Sequence, residues 1–187
     1  LDAFKTPAQR RLVFEELFLV QLGLAFRKKH NAEDNTGSAF KTRGELIKQF
    51  VKLLPFTLTG AQKRVLREIM EDLEKEKPMN RLIQGDVGSG KTIIALTALL
   101  TAVDNKMQSA LMVPTEILAE QHFLNIRPYC EKLGIELSLV TSTLKGKERQ
   151  NYYENIRTGK TQIVVGTHSL IQKDIQFKNL GLAVVDE

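Results

Sequence analysis

The chain has 187 residues, 42% of them hydrophobic and 26% charged, with a formal net charge of +5, which allows one sizeable core with an appended element. No apolar run reaches about 18 residues, so no helix spans a membrane, and the opening LDAFKTPAQRR has no signal-type apolar stretch. A single cysteine, Cys130, excludes an internal disulfide framework and fits a reducing compartment. The charge is uneven: the first 54 residues hold 10 Lys/Arg against 6 Asp/Glu, and the remainder 17 against 16.

Residues 6–30 read as a long helix. Thr6 caps it and Pro7 suits its first position. Its apolar residues, among them Leu12, Phe14, Leu17, Phe18 and Phe26, cover more than one face, which predicts burial on several sides, between other parts. The basic run Arg27-Lys28-Lys29-His30 is either a phosphate-backbone contact or a solvated helix end whose cations suit the helix dipole. Residues 31–40, NAEDNTGSAF, are polar and turn-rich and read as a link. Thr42-Arg43-Gly44-Glu45 has the form of a capping box opening a second helix, which Pro55 ends. Thr59-Gly60-Ala61-Gln62 caps a third, carrying Val65, Leu66, Ile69, Met70 and Leu73 on one face.

From there strand-like and helix-like runs alternate. Strands are expected at Arg81–Gln84, Ser109–Val113, Ile135–Val140, Gln162–Val165 and Leu182–Val185, with helical segments near 91–104, 116–132, 146–157 and 168–172. This order predicts an α/β fold, a parallel sheet with crossover helices. Cys130 then falls within a helix as a passive residue. His30, His122 and His168 are too far apart, with no cysteine pair, to suggest a zinc cluster.

The chemistry concentrates in Gly85-Asp86-Val87-Gly88-Ser89-Gly90-Lys91-Thr92, which matches the phosphate-binding loop G-x-x-x-x-G-K-[ST] in a strand–loop–helix setting. Glycines let several backbone N–H groups face one phosphate chain, and the following helix adds its positive end. In such a loop Lys91 reaches the β/γ-phosphates and the Thr92 hydroxyl ligates Mg²⁺. The plainer reading is a glycine-rich turn with a chance lysine. At the end of the last apolar run, Asp186 is placed to complete a Mg²⁺ shell and Glu187 to polarise an attacking water.

The stretches PMNRLIQGDVGSGKT, VPTEILAEQH, IVVGTHSLIQ and LGLAVVDE together resemble the RecG family of ATP-dependent DNA helicases, superfamily 2 motors of DNA recombination and repair, closely over residues 55–187. RRLVFEELFLVQL resembles the segment joining the RecG wedge domain to its motor. The transcription-repair coupling translocases are also similar, but usually carry Tyr at the position of Ser89 and Thr at that of Glu116, so these two residues favour RecG. Thr141-Ser142-Thr143 departs from the more usual Thr-Gly-Ser.

The resemblance implies a P-loop, RecA-like ATP-binding lobe over 55–187, reaching the Walker-B acids at its end. Residues 1–54 would be a helical linker after a wedge-type DNA-binding domain. It implies ATP and Mg²⁺ as cofactors, with Phe56 and Gln62 on the adenine side and Gly85, Gly88, Ser89, Gly90, Lys91 and Thr92 on the phosphates. Thr92 and Asp186 would hold the metal, and Lys91, Asp186 and Glu187 would be catalytic. Thr115, Glu116, Ser142, Lys145, Thr167 and His168 would face DNA, where hydroxyls and backbone N–H groups suit phosphate oxygens without reading sequence. For each of these, helix capping is an alternative use. Gln62 has a capping use too, as the third-position partner of Thr59, compatible with the adenine contact.

The implied partners are branched DNA (forks and Holliday junctions), a second RecA-like lobe supplying an arginine finger, and the wedge domain, in the bacterial cytoplasm. Without the second lobe the isolated chain is expected to be nearly inactive. Alternatives are a transcription-repair coupling-type translocase, a P-loop small-molecule kinase, or a binding module. A kinase would need a substrate-binding acid or arginine lid near the loop. The chain instead shows a polar motif after every strand.

Overall fold

The computed structural model describes residues 6–34, 37–142, 146–172 and 174–186, with the side chains of 27–34 outside the description. In chain order the elements are α1 (Pro7–Asp34), α2 (Glu45–Leu53), α3 (Gly60–Leu73), α4 (Lys91–Asp104), β1 (Gln108–Met112), α5 (Glu116–Leu133), β2 (Leu137–Val140), α6 (Gly146–Thr158), β3 (Ile163–Gly166), the 3₁₀ turn η1 (His168–Ile171) and β4 (Leu180–Val185).

The strands form one parallel sheet in the order β2-β3-β1-β4. Its central strands are apolar on both sides, as strands covered by helices on both faces must be. Successive residues of β3 alternate between two cores. Ile163 and Val165 join Leu111 of β1 and Leu96, Leu99 and Leu100 of α4. Val164 joins Ala110, Val140 and Ile156 on the opposite face. Helix α4 is buried nearly all round, so its polar residues satisfy themselves: Thr97 Oγ1 donates to Ile93 O at 2.7 Å and Thr101 Oγ1 to Thr97 O at 2.8 Å. A third cluster packs Ile69 and Leu73 of α3 against Ile94, Ala98 and Ala102 of α4.

Two local expectations are corrected. The stretch Arg81–Gln84 joins no ladder, and Leu82 is 91% exposed. Ile83 packs on the same cluster as Leu182, so the segment lies near β4 without pairing to it. Its anchor is electrostatic instead. Arg81 donates to Asp72 Oδ2 through Nε (2.8 Å) and Nη2 (2.7 Å) and to Glu68 through Nη1 (2.7 Å), which binds the segment to α3.

The capping box at residues 42–45 does not form. Gly44 is the N-cap of α2 and supplies no side-chain bond. The Leu46 N–H is taken by Asp104 Oδ2 at 3.2 Å, from the end of α4, while the Thr42 hydroxyl donates to Glu74. A Cβ on Gly44 would lie 1.6 Å from Asp104 Oδ2, so only glycine allows this long-range cap. Asn105 completes the clamp, accepting from Lys41 N at 2.7 Å and donating to Lys41 O at 2.9 Å. Phe50 of α2 is thereby set fully buried in the main core.

Helix α1 begins with a cap of its own. Thr6 and Gln9 cap it reciprocally, each backbone N–H donating to the other's side-chain oxygen at 3.3 Å. Leu12, Phe14, Leu17, Phe18 and Phe26 are exposed within this chain. A helix apolar on several sides has no single face to lay on the lobe, whose sheet is already covered by its own helices.

Gln108, buried at the start of β1, donates to Ile156 O (2.9 Å) and Thr161 O (2.7 Å) and accepts from Asn179 N (3.1 Å). Gln108→Leu removes a donor from two buried carbonyls, of which Ile156 O keeps the Gly159 N–H, and an acceptor from the partly buried Asn179 N–H, and should cost about 1–3 kcal/mol in denaturant unfolding. Burial pushes the Cys130 thiol up to about 12, which suppresses the reactive thiolate. Alkylation of Cys130 should therefore be slow in the folded protein and rapid once denaturant unfolds it.

Candidate functional site

Residues 85–90 make a tight turn into α4. Gly88 and Gly90 have φ of +79° and +87°, a conformation that costs glycine least. Ser89 N–H donates to Asp86 O at 3.1 Å, and the N–H groups of Ile93 and Ile94 turn back to Gly90 O at 3.0 and 3.3 Å. Lys91 Nζ reaches over the loop to donate to Gly85 O (2.8 Å) and Asp86 O (3.0 Å). Its charge is thus held among loop carbonyls at a helix start, where an anion is favoured. These bonds pair a cation with neutral carbonyls, whereas a phosphate oxygen adds charge–charge attraction to the same N–H donors, so a polyphosphate can displace them.

Gln62 serves two structures at once. It completes the capping box of α3, with Thr59 N–H donating to Oε1 at 2.9 Å and Gln62 N–H to Thr59 Oγ1 at 3.2 Å. Its Nε2 donates to Ser89 O at 2.8 Å, tying α3 to the loop. One N–H and one lone pair of the amide remain for a base edge. Phe56 is exposed on the link between α2 and α3.

The register then aligns the strand ends. Met112 and Val140 both pair with Gly166, and Met112 also pairs with Val185. Ser142, Thr167, Thr115 and Asp186, which follow β2, β3, β1 and β4, therefore leave the same carboxyl edge in that spatial order. Several have structural partners. The Thr115 hydroxyl caps α5, accepting from Leu118 N at 3.3 Å. Glu116 Oε1 accepts from Ser142 N–H (2.7 Å) and Oγ–H (2.5 Å), bridging two loops. Thr167 Oγ1 lies 3.4 Å from Ser169 Oγ, and His168 is exposed on η1. Lys145 and Glu187 lie outside the described residues.

Asp186 continues β4 through its N–H to Met112 O (2.9 Å), and its Oδ2 lies 2.9 Å from Nε2 of His122 on α5. Nothing in the sequence signals this contact, because 64 positions of chain separate the two residues. No group of three His, Cys, Asp or Glu that could hold a metal occurs among the described residues. A hydroxyl and a carboxylate, Thr92 and Asp186, do fit Mg²⁺, which typically takes one or two protein oxygens with the rest from phosphates and water.

Residues 59–187 match the DEAD/DEAH box helicase family. The chain belongs to that family. Within this helicase family, RecG ATP-dependent DNA helicases are similar through nearly the whole chain. The protein from Haemophilus influenzae is 46% identical over 187 residues, 100% of this chain and 27% of that protein. The one from Bacillus subtilis is 47% identical over 180 residues, 96% of this chain and 26% of that protein. A solved structure of RecG bound to a three-way DNA junction superposes with a TM-score of 0.84 at 45% identity, covering 95% of this chain and 24% of that one. A hypothetical ATP-dependent RNA helicase from Sulfolobus tokodaii, at TM-score 0.57 and 21% identity, shares the fold. The chain spans about a quarter of the length of the RecG proteins it matches.

The entry to the phosphate loop gives a pH test. Hydrogen bonds from Lys75 and then Arg81 hold the Asp72 carboxyl below its ordinary range. A depressed carboxylate contributes stability present above its unfolded pKa and lost as pH falls through the folded one. Removing one partner in Arg81→Ala should raise the Asp72 pKa and move this acid loss to higher pH. Carboxyl NMR titration and thermal melts across the acid range would show both changes.

Proposed function

We propose that the chain is the first motor lobe of a RecG-type helicase that uses ATP hydrolysis to remodel branched DNA in the bacterial cytoplasm. The observation carrying this reading is one shared edge. The carboxyl ends of four parallel strands present Thr115, Ser142, Thr167 and Asp186 together, in a chain whose phosphate loop is also built on α4, against β1 and β4. Residues 55–187 would be the lobe, and 1–54 the link to a preceding wedge-type domain. Within that link α2 is already packed on the lobe, so α1 would be the connecting part.

Each residue then has a task. Lys91 exchanges its two loop carbonyls for β/γ-phosphate oxygens, and the backbone of Gly85, Gly88, Ser89 and Gly90 cradles them. Thr92 and Asp186 would hold Mg²⁺, which would neutralise charge on the phosphates. Gln62, steadied by Thr59 and Ser89, offers its remaining N–H and lone pair to adenine, beside Phe56. Glu187 is the general base for the attacking water. Thr115, Glu116, Ser142, Lys145, Thr167 and His168 form the DNA side, contacting phosphates. A second lobe would add an arginine finger, so that nucleotide bridges the closed state and hydrolysis reopens it.

Two measurements on the complete protein test this. Lys91→Ala should lower ATP turnover by about 100-fold or more with an unchanged melting temperature; normal turnover would sink the assignment. ATPase activity should be stimulated by forked DNA, with an affinity that falls steeply with salt and depends little on base sequence. Equal rates with and without DNA would remove the motor reading.

A further inference from the structure

We propose that His122 is a positioning residue for Asp186, fixing which carboxylate oxygen is free to meet the metal. The inference rests on the proposed nucleotide-site reading. Asp186 is the first residue beyond β4, and its backbone is held by the bond to Met112 O. Its remaining freedom is rotation of a side chain that is 37% exposed. An unrestrained carboxylate there samples several orientations. The contact of Oδ2 with His122 Nε2 at 2.9 Å selects one of them and leaves Oδ1 to the metal.

The imidazole is itself well placed to do this. Its side chain is only 13% exposed, and Nδ1 is buried without a hydrogen-bond partner. A buried lone pair without a partner is tolerated better than a buried N–H without one. The proton therefore belongs on Nε2, the nitrogen facing Asp186. An apolar side chain would fill the same space but would leave Asp186 free to turn.

The support behind the imidazole is rigid. Helix α5 is capped by Thr115 at one end, and its first-turn Glu116 is tied to the Ser142 loop. Its buried Ala119, Ile126 and Cys130 fix its rotation on the sheet. The metal carboxylate is thus oriented from the helix whose first turn carries proposed DNA-side residues.

The test compares His122→Ala, His122→Gln and His122→Asn in the complete protein. Binding of a fluorescent ATP analogue is measured across a Mg²⁺ titration and in EDTA, alongside ATPase activity. His122→Ala should raise the Mg²⁺ concentration for half-maximal binding about 10-fold, with affinity in EDTA unchanged. Gln places an N–H near the position of Nε2 and should restore much of the loss, whereas the shorter Asn should not. This Gln–Asn comparison carries the test if His122→Ala fails to fold. Unaltered Mg²⁺ dependence in His122→Ala, or equal behaviour of Gln and Asn, overturns the proposal. Asp186→Ala is the control and should abolish the Mg²⁺ effect. If it does not, the nucleotide-site reading falls and this inference with it; if it does while His122→Ala behaves as wild type, this inference alone falls.

Discussion

Burial of β3 on both faces is the constraint on which the rest of the molecule depends. Ile163, Val164 and Val165 are each fully buried, and they alternate between two separate cores. A one-residue slip would exchange their faces and disrupt both cores at once. The register with β1 and β2 is therefore strongly specified. Because the strands are parallel, fixing the register also fixes where their carboxyl ends stop. The loops after Val113, Thr141 and Gly166 inherit their positions from that packing, as does Asp186. In open parallel sheets this edge is where ligands bind.

The phosphate loop is held to the same frame by longer-range ties. Gln62 bonds the loop from the start of α3, and Arg81 bonds the segment entering it to the middle and end of α3. Asp104 and Asn105, at the far end of the helix that follows the loop, clamp residues 41–46. Helix α4 is therefore fixed at both ends and along its apolar length. On the proposed function this loop presents N–H groups to a phosphate chain, and such fixed supports would leave little ordering to be done on binding.

Much of this was legible in the sequence because it is local. The short apolar runs ending at Val113, Val140, Val165 and Val185 mark the strands within one or two residues. The glycines and Lys91 mark the loop, and Thr59-Gly60-Ala61-Gln62 marks a capping box that the structure contains. The exceptions are all cases where a distant group decides. Residues 42–45 carry the right letters for a capping box, but Asp104, 58 residues away, takes the N–H. Arg81–Gln84 has strand composition, yet strand formation requires a ladder partner, which composition does not report. The apolar coat of α1 is exposed among the described residues, and composition does not name what would cover it. The His122–Asp186 contact joins two motifs whose separate recognition says nothing about their meeting.

On the proposed function, one sheet edge carries the DNA-facing loops. Site-specific photo-crosslinking in the complete protein tests it most directly. A benzophenone side chain would be placed singly at Thr115, Ser142 or Thr167 on the carboxyl edge, and at Glu136, Lys160 or Asn179 on the amino edge. Each variant would be irradiated with forked DNA. The account predicts crosslinks from the first three positions and none above background from the others. Crosslinking confined to the amino-edge positions, or equal at both edges, would contradict it.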